Sequence, residues 1–430
     1  MNKVQVIIIA FSIIIVIAAI IIFSLMSSGE PPRIGDGTSQ LVVWGVDRKE
    51  IFQSLFETYE REFKVKIEYE VKNPRTFRQD IIEALASEKN PDLVIASADW
   101  IVANRERLAP LPSSTATPED IENIFARIVA DTFIETVTAQ QKPQRVVWAL
   151  PLWIDPLVLY WNKDIFAEVR RAVPPPDWTE FIKASNDIRK LGQSDVVVRA
   201  GSALGRASNI PLYKEIFSLL LLQENADLEA SLQKTSYQQE MESVIRFYSD
   251  FGNASKARSG VYTWNTRIAE PRALFTEGKL GMMLDYHSYK SFLAEKNTHI
   301  SFGVALAPQI ENAKTPVHFA DVHAIAVLRR SQGQKTAWHF AQWLTSQAQA
   351  AIYLPRVGAA PARRDLIQAS VLSPLLQESA LNARRTKENY PEYNSDFLRD
   401  IIESVADGRL TPSESLAETR ARYRGLLEQQ

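Results

Sequence analysis

The residue types that could carry chemistry are sparse and scattered in this chain. Its five histidines, His287, His299, His318, His323 and His339, form no H-E-x-x-H pattern. His318 and His323 stand five apart in a strand-like run, which puts them on opposite faces. Neither spacing suits a metal, and the histidines read as ordinary surface or core residues. There is no cysteine, so disulfides, zinc-thiolate sites and thiol nucleophiles are excluded. No G-x-S-x-G elbow occurs. Gly201-Ser-Ala-Leu-Gly205-Arg206 has the glycines of a phosphate loop but not its Gly-Lys-Ser/Thr. Acidic pairs are plentiful, as on any helical surface, so they single out no glycosidase pair. The chain is therefore expected to be no enzyme and to hold no cofactor or metal. What remains are polar and aromatic groups just beyond apolar runs: Trp44, Asp47 and Arg48, then Asp99 and Trp100. Such groups bind and stack against small polar ligands. Asp47 serves equally well as the cap of a helix starting at Lys49, and Trp44, ending a buried run, leans towards core packing.

The elements that must position these groups follow from periodicity. Leu41 to Gly45 and Asp92 to Ala96 are short apolar runs, and Val65 to Val71 alternates, so all three predict strands. Between them Ile51, Phe52, Leu55, Phe56 and Tyr59, then Ile81, Ile82, Leu85 and Ala86, recur at helical spacing. Strand, helix, strand, helix, strand predicts a parallel sheet covered by helices. A second set begins near Leu157 to Trp161, after Pro151 and Pro156. It continues through amphipathic helices over 208–223 and 236–251, strands at 280–284, 302–306 and 322–328, and a helix carrying Trp338, Phe340 and Trp343. Residues 364–430 read as helical, punctuated by Pro374, Pro391 and Pro412. In a sheet of this kind ligands sit at the carboxyl ends of the strands, where helix N-termini aim free N–H groups.

A length of 430 residues suits two domains plus extras. The net charge of −2 gives no electrostatic case for nucleic acid. Val4 to Met26 is uncharged and as a helix would reach about 34 Å, enough to cross a bilayer core. No Ala-x-Ala site follows it, which favours a retained anchor over a cleaved signal. Lys3 precedes the span and little net positive charge follows, which places the N-terminus in the cytoplasm and the remaining chain outside. Residues 27–40, rich in Gly, Pro and Ser, read as a tether.

Several segments, taken in order, resemble the family 1 extracellular solute-binding proteins of ABC importers, the group that includes maltose-binding protein. They are Leu41 to Gly45 with the helix to Phe63 and Val65 to Tyr69; Pro91 to Ile95 with Trp100 and Leu108 to Leu111; and Trp148 to Leu152 followed by Leu157 to Phe166. Pro176 to Phe181, Phe275 to Met283 and Arg356 to Pro361 complete the set. The resemblance spans nearly all of residues 41–430. Two departures stand out: an anchor replaces the lipobox Cys, and Ala96 and Ser97 stand where sugar binders often place an aromatic. The second argues against a maltodextrin-type ligand.

The resemblance implies a type II-like periplasmic-binding-protein fold of two discontinuous α/β lobes. The first would be 41–153 with 322–353 returning to it, the second 154–320 with 354–430, and hinges would cross at 151–156, 319–321 and 355–360. It implies capture of a small polar ligand, a sugar or oligosaccharide, by hinge closure. The partners would be ABC importer membrane subunits and, through residues 4–26, the lipid bilayer; the protein would be a monomer. Asp155 falls on an acidic ligand contact of the family, with Trp153 beside it in the hinge. Tyr286 and Tyr289 lie where the family places an aromatic contact, one facing the cleft and the other the core. Arg206, Asn209, Trp264, Tyr390 and Tyr393 are further candidates on second-lobe loops. A tethered sensor or adhesion module, or a surface carbohydrate-active enzyme with a dispersed site, are the alternatives.

Overall fold

The computed structural model describes residues 39–428 except 75, 88–89, 140–141, 297–298, 370–371 and 387. The span expected at 4–26 lies outside these residues; among the described ones, no helix is long and apolar enough to cross a membrane.

Strands β1 (Gln40–Gly45), β2 (Lys66–Val71) and β3 (Leu93–Ser97) form in the expected order, with β1 parallel to both others. The helix Gln53–Phe63 between β1 and β2 buries Leu55, Phe56, Tyr59 and Phe63, one face of a 3.6-residue repeat. A hairpin not expected from the sequence follows: β4 (Ile134–Ala139) and β5 (Lys142–Val147), paired only with each other. β5 carries four exposed residues in a row, so it lacks the apolar alternation that marks a half-buried strand.

The strand expected at 157–161 is the second half of a thirteen-residue strand, β6 (Leu150–Asn162), buried along almost its whole length. It runs straight through Pro151 and Pro156, the stretch expected as a hinge crossing. Pro loses its donor but keeps its acceptor: the carbonyl of Pro156 accepts from His287 N–H at 2.9 Å. After β7 (Lys190–Leu191) and β8 (Val197–Ser202) come β9 (Leu280–Tyr286), β10 (Phe302–Leu306) and β11 (His318–Val327), then the short β12 (Ala360–Pro361) and β13 (Ala383–Arg384). The central order is β2-β1-β3-β11-β6-β9-β8-β7. The first half of β6 pairs with β11, while its second half pairs with β9 and β10. β6 and β11 thus pass from one lobe into the other.

Two hydrophobic cores result. One gathers Leu41 to Ile154 and Ala320 to Ala383; the other gathers Leu157 to Phe319 and Phe397 to Tyr423. Residues 354–383, expected in the second lobe, pack with the first. The cause is local: helix Gln347–Val357 includes Pro355 in its last turn, and β12 pairs with β6 at Ile154 and Trp153. The third passage between lobes therefore lies between β13 and the helix Pro391–Ala406, not at 355–360. Pro374, Pro391 and Pro412 each stand at the first position of a helix, where the missing N–H costs nothing. The glycines of the 201–206 loop are there for packing. Gly205 has φ +102, and a Cβ on it would lie 2.0 Å from Gly252 N.

Candidate functional site

β3 ends at Ser97 and leads directly into the helix Ala98–Ala103. This turn puts Asp99 at the carboxyl end of the sheet, facing the second lobe. Lys214, in the first turn of the second-lobe helix Tyr213–Gln223, reaches across and places Nζ 2.6 Å from Asp99 Oδ2. Arg385, on the segment after β13, pairs with the other Asp99 oxygen and donates to Asp321 Oδ1 at 2.7 Å. Asp321 also accepts from Ala98 N–H at 3.3 Å. Lys214 has a further neighbour in Glu388, at 3.5 Å, and Glu388 accepts from Thr386 Oγ1 and Asn394 Nδ2. Around the hinge strand, His323 lies 3.6 Å from both Asp47 and Asp321. Those separations exceed a hydrogen bond, so the attraction is ionic.

Burial and charge set the protonation of these groups. Burial would raise the Asp99 carboxyl, but Lys214 and Arg385 bring it down to about 2. Burial raises Asp155 to about 6, against the Ser288 N–H that donates to it at 3.1 Å. Glu215, beside Lys214, is lifted by burial to about 7. Burial alone would strip the proton from His323, yet Asp47, Asp321 and Asp155 together raise it to about 9. A cluster with more carboxylates than cations resists full ionisation in this way.

Asp99 is where two cavities meet. A chamber of about 260 Å³ lies on one side, walled by Arg105, Glu135, Trp148, Arg385, Glu388 and Asn389 among others. A more open groove of about 500 Å³ lies on the other, between Val46, Phe77, Trp100 and the start of the second-lobe helix at Pro391 and Ser395. In the chamber Trp148 donates through Nε1 to Glu135 at 2.9 Å, and Arg105 donates to Asn389 Oδ1 at 3.1 Å. An aromatic ring beside paired donors and acceptors can hold a polyhydroxylated molecule by stacking and hydrogen bonding together.

Of the residues singled out from sequence, the structure brings Asp47, Asp99, Asp155 and Tyr286 to this region. Tyr286 ends β9, and the charges of Glu215, Asp321 and Arg385 act on its hydroxyl, which burial raises well above its ordinary range. Asp47 caps no helix; its carbonyl accepts from Tyr69 Oη at 2.9 Å. Asp155 is buried in the hinge opposite Asp321 and lines neither cavity. Trp100 lines the groove with its ring 5.2 Å from that of Phe77.

The other candidates are placed elsewhere. Trp153 is 1 % exposed, sandwiched between Phe52 and His323. Trp44 is buried under Lys72 Nζ, 3.5 Å from its ring. Exposed Arg48 pairs with Glu295. Tyr289, three residues past Tyr286 but on the helix that follows, packs edge-on against Tyr160 beneath Arg272. Trp264 is wholly buried and donates to Asn209, which itself bonds the carbonyls of Asn265 and Ile268. Arg206 is tied to Glu403, Asp407 and the Gly252 carbonyl. Tyr390 and the 42 % exposed Tyr393 face each other at 6.3 Å at the start of helix Pro391–Ala406. Lys214, Arg385, Glu388, Asp321 and His323 were not singled out as ligand-site residues. A lysine and a glutamate opening the otherwise apolar run Ile216 to Leu222 were the one signal available for Lys214.

The model of the family described as bacterial extracellular solute-binding protein matches residues 45–351. Among characterised relatives, a galactooligosaccharide-binding protein of Bacillus subtilis is 21% identical over 91% of this chain and 90% of its own length. A mannitol-binding protein of Pseudomonas aeruginosa is 23% identical over 56% of this chain and 55% of its own. Solved structures share the two-lobe fold. An ABC substrate-binding protein from Listeria monocytogenes in complex with cycloalternan superposes with a TM-score of 0.68 at 14% identity, covering 91% of this chain and 99% of that one. A cyclic alpha-maltosyl-1,6-maltose binding protein from Arthrobacter globiformis gives 0.69 at 16% identity, with the same coverage. With its two lobes, its crossing strands and a polar cleft between them, this chain belongs to the bacterial extracellular solute-binding protein family.

Proposed function

We propose that the chain captures a small polar ligand, a sugar or short oligosaccharide, between its lobes and hands it to the membrane subunits of an ABC importer. The observation that carries this reading is Asp99. It is a first-lobe carboxylate bonded to a second-lobe lysine, with a cavity on either side. A ligand there touches both lobes and so favours their approach. Trp148 supplies a stacking face, while Arg385, Asn389 and Glu388 supply donors and acceptors at the chamber wall. Two relatives bind a galactooligosaccharide and mannitol, as their names state, which supports the ligand class. Binding leaves the ligand chemically unchanged, and the protein acts as a monomer. The uncharged run 4–26 anchors it in the bilayer, and 27–40 form the tether.

Thermal melts and calorimetric titration should be run on residues 34–430 with galacto-oligosaccharides, maltotriose, mannobiose and mannitol. At least one should raise the melting temperature by mass action and be recovered intact. No response to any of them, or turnover of one by the protein alone, would overturn the reading. Protease applied to intact cells should release a soluble fragment if the anchor is retained; a mature N-terminus between residues 24 and 32 would mean cleavage instead.

A further inference from the structure

The Lys214–Asp99 contact joins the two lobes directly and runs between the two cavities. We propose that it is an autoinhibitory latch: the empty chain closes on its own ion pair, and a ligand must displace Lys214 from Asp99 to occupy the cleft. This rests on reading the cleft as the ligand seat.

Three observations carry it. First, the pair is direct at 2.6 Å; the Lys214 side chain is 8% exposed and that of Asp99 34%, so the ammonium has left water for a carboxylate that stays partly open to the cleft. Second, each partner has another counter-charge. Glu388 stands 3.5 Å from Lys214 and is bonded to Asn394 of the second lobe, while Asp99 is also held by Arg385. Parting the lobes therefore strands no buried charge, which is what makes a buried ion pair costly to break. The contact can open and close reversibly. Third, a second pair, Arg48 with Glu295, also links the lobes, but its side chains are 62% and 55% exposed. Water screens it, so it contributes little and leaves Lys214–Asp99 the stronger of the two ion pairs.

A closed empty state competes with the state that admits ligand and weakens apparent affinity in proportion to its population. If loss of the latch raises the open fraction from about a tenth to about a half, affinity rises about fivefold. The chain has no cysteine, so Glu62→Cys and Glu224→Cys, both at exposed positions on different lobes, can take a dye pair uniquely. Single-molecule energy transfer on the ligand-free protein should show a dominant short-distance population in the parent. Lys214→Met should move it to longer distance, and Lys214→Arg should restore it. Thermal melts of each variant check folding, and Lys214→Gln replaces Lys214→Met if that variant does not fold. Identical distance distributions in parent, Lys214→Met and Lys214→Gln would overturn the latch. Because this readout needs no ligand, it stands apart from the sugar panel: failure of every sugar to bind sinks the functional reading, not the latch. Where a sugar does bind, weaker binding by Lys214→Met would also overturn the inhibitory role.

Discussion

His323 lies flat against Trp153, with ring centroids 4.8 Å apart and planes 19° from parallel. The imidazole meets an aromatic face on one side and the carboxylates of Asp47 and Asp321 near its two nitrogens. Both surroundings favour the cation. The folded-state value near 9 lies above the ordinary 6.5, so the folded chain binds the extra proton between those values. The stability this contributes is complete below pH 6.5 and is lost as pH rises through 9. Chemical denaturation between pH 6 and 10 should show stability declining over that window, and His323→Gln should flatten much of the decline. An equally steep loss in the variant would place the titrating group elsewhere.

Asp155 has the opposite consequence of burial. Its carboxyl is raised to about 6, so between its unfolded value near 4 and pH 6 the folded state holds more protons, and stability falls as pH rises. Asp155→Asn keeps an acceptor for Ser288 N–H and removes the buried charge. Its melting temperature should exceed that of the parent at pH 7–8 and match it near pH 4. A variant less stable than the parent at pH 8 would show that the charge is needed where it sits.

Asp99 and Trp148 are the two chamber residues whose loss should be felt by a bound sugar. Replacing the carboxylate by Asp99→Asn removes a charged acceptor, costing about 1.5–3 kcal/mol; set against the roughly fivefold gain from opening the latch, affinity should still fall about two- to twentyfold. Trp148→Ala should weaken binding by roughly tenfold through lost stacking area. Calorimetric titration with whichever sugar binds the parent measures both. Unchanged affinity in two folded variants would move the ligand out of the chamber.

Arg206, a ligand candidate from sequence, should behave as a structural residue. It joins the loop after β8 to Glu403 at 2.8 Å and to Asp407. Arg206→Ala should cost about 3 kcal/mol of stability and leave affinity unaltered in the folded fraction. Loss of affinity without loss of stability would reverse that assignment.

The strands at 41–45 and 302–306 were legible because a short apolar run between breakers has few other fates. Asp99 was singled out because it stands just past the end of β3, where parallel strands end at the crevice, and the second lobe's Lys214 meets it there. Which side an aromatic faces was not legible. Trp153 and Trp264 look like stacking residues by type and neighbourhood, yet both fill cores. The cluster itself was hidden because its partners are remote in sequence: Asp99 meets Lys214 after the chain has passed once between lobes, and Arg385 after it has passed back. Residues 354–383 were misplaced because the hinge that the resemblance implied at 355–360 is instead the end of a helix that stays with the first lobe, with Pro355 fitted into its last turn.

The place of β11 in the sheet bears on how the protein is made. β3 hydrogen-bonds to β1 on one edge and to β11 on the other, and β11 is residues 318–327. A chain emerging from its N-terminus has produced β1, β2 and β3 by residue 97, yet the strand that closes their edge arrives more than two hundred residues later. The second lobe's strands β7 to β10 all emerge in that interval. The sheet begun first is therefore closed only after those strands have emerged, with an open edge on β3 exposed to wrong partners in the meantime. Chain length synthesised, more than intrinsic folding speed, times the closing of that sheet, and truncation before residue 318 should leave the β3 edge open to unwanted pairing.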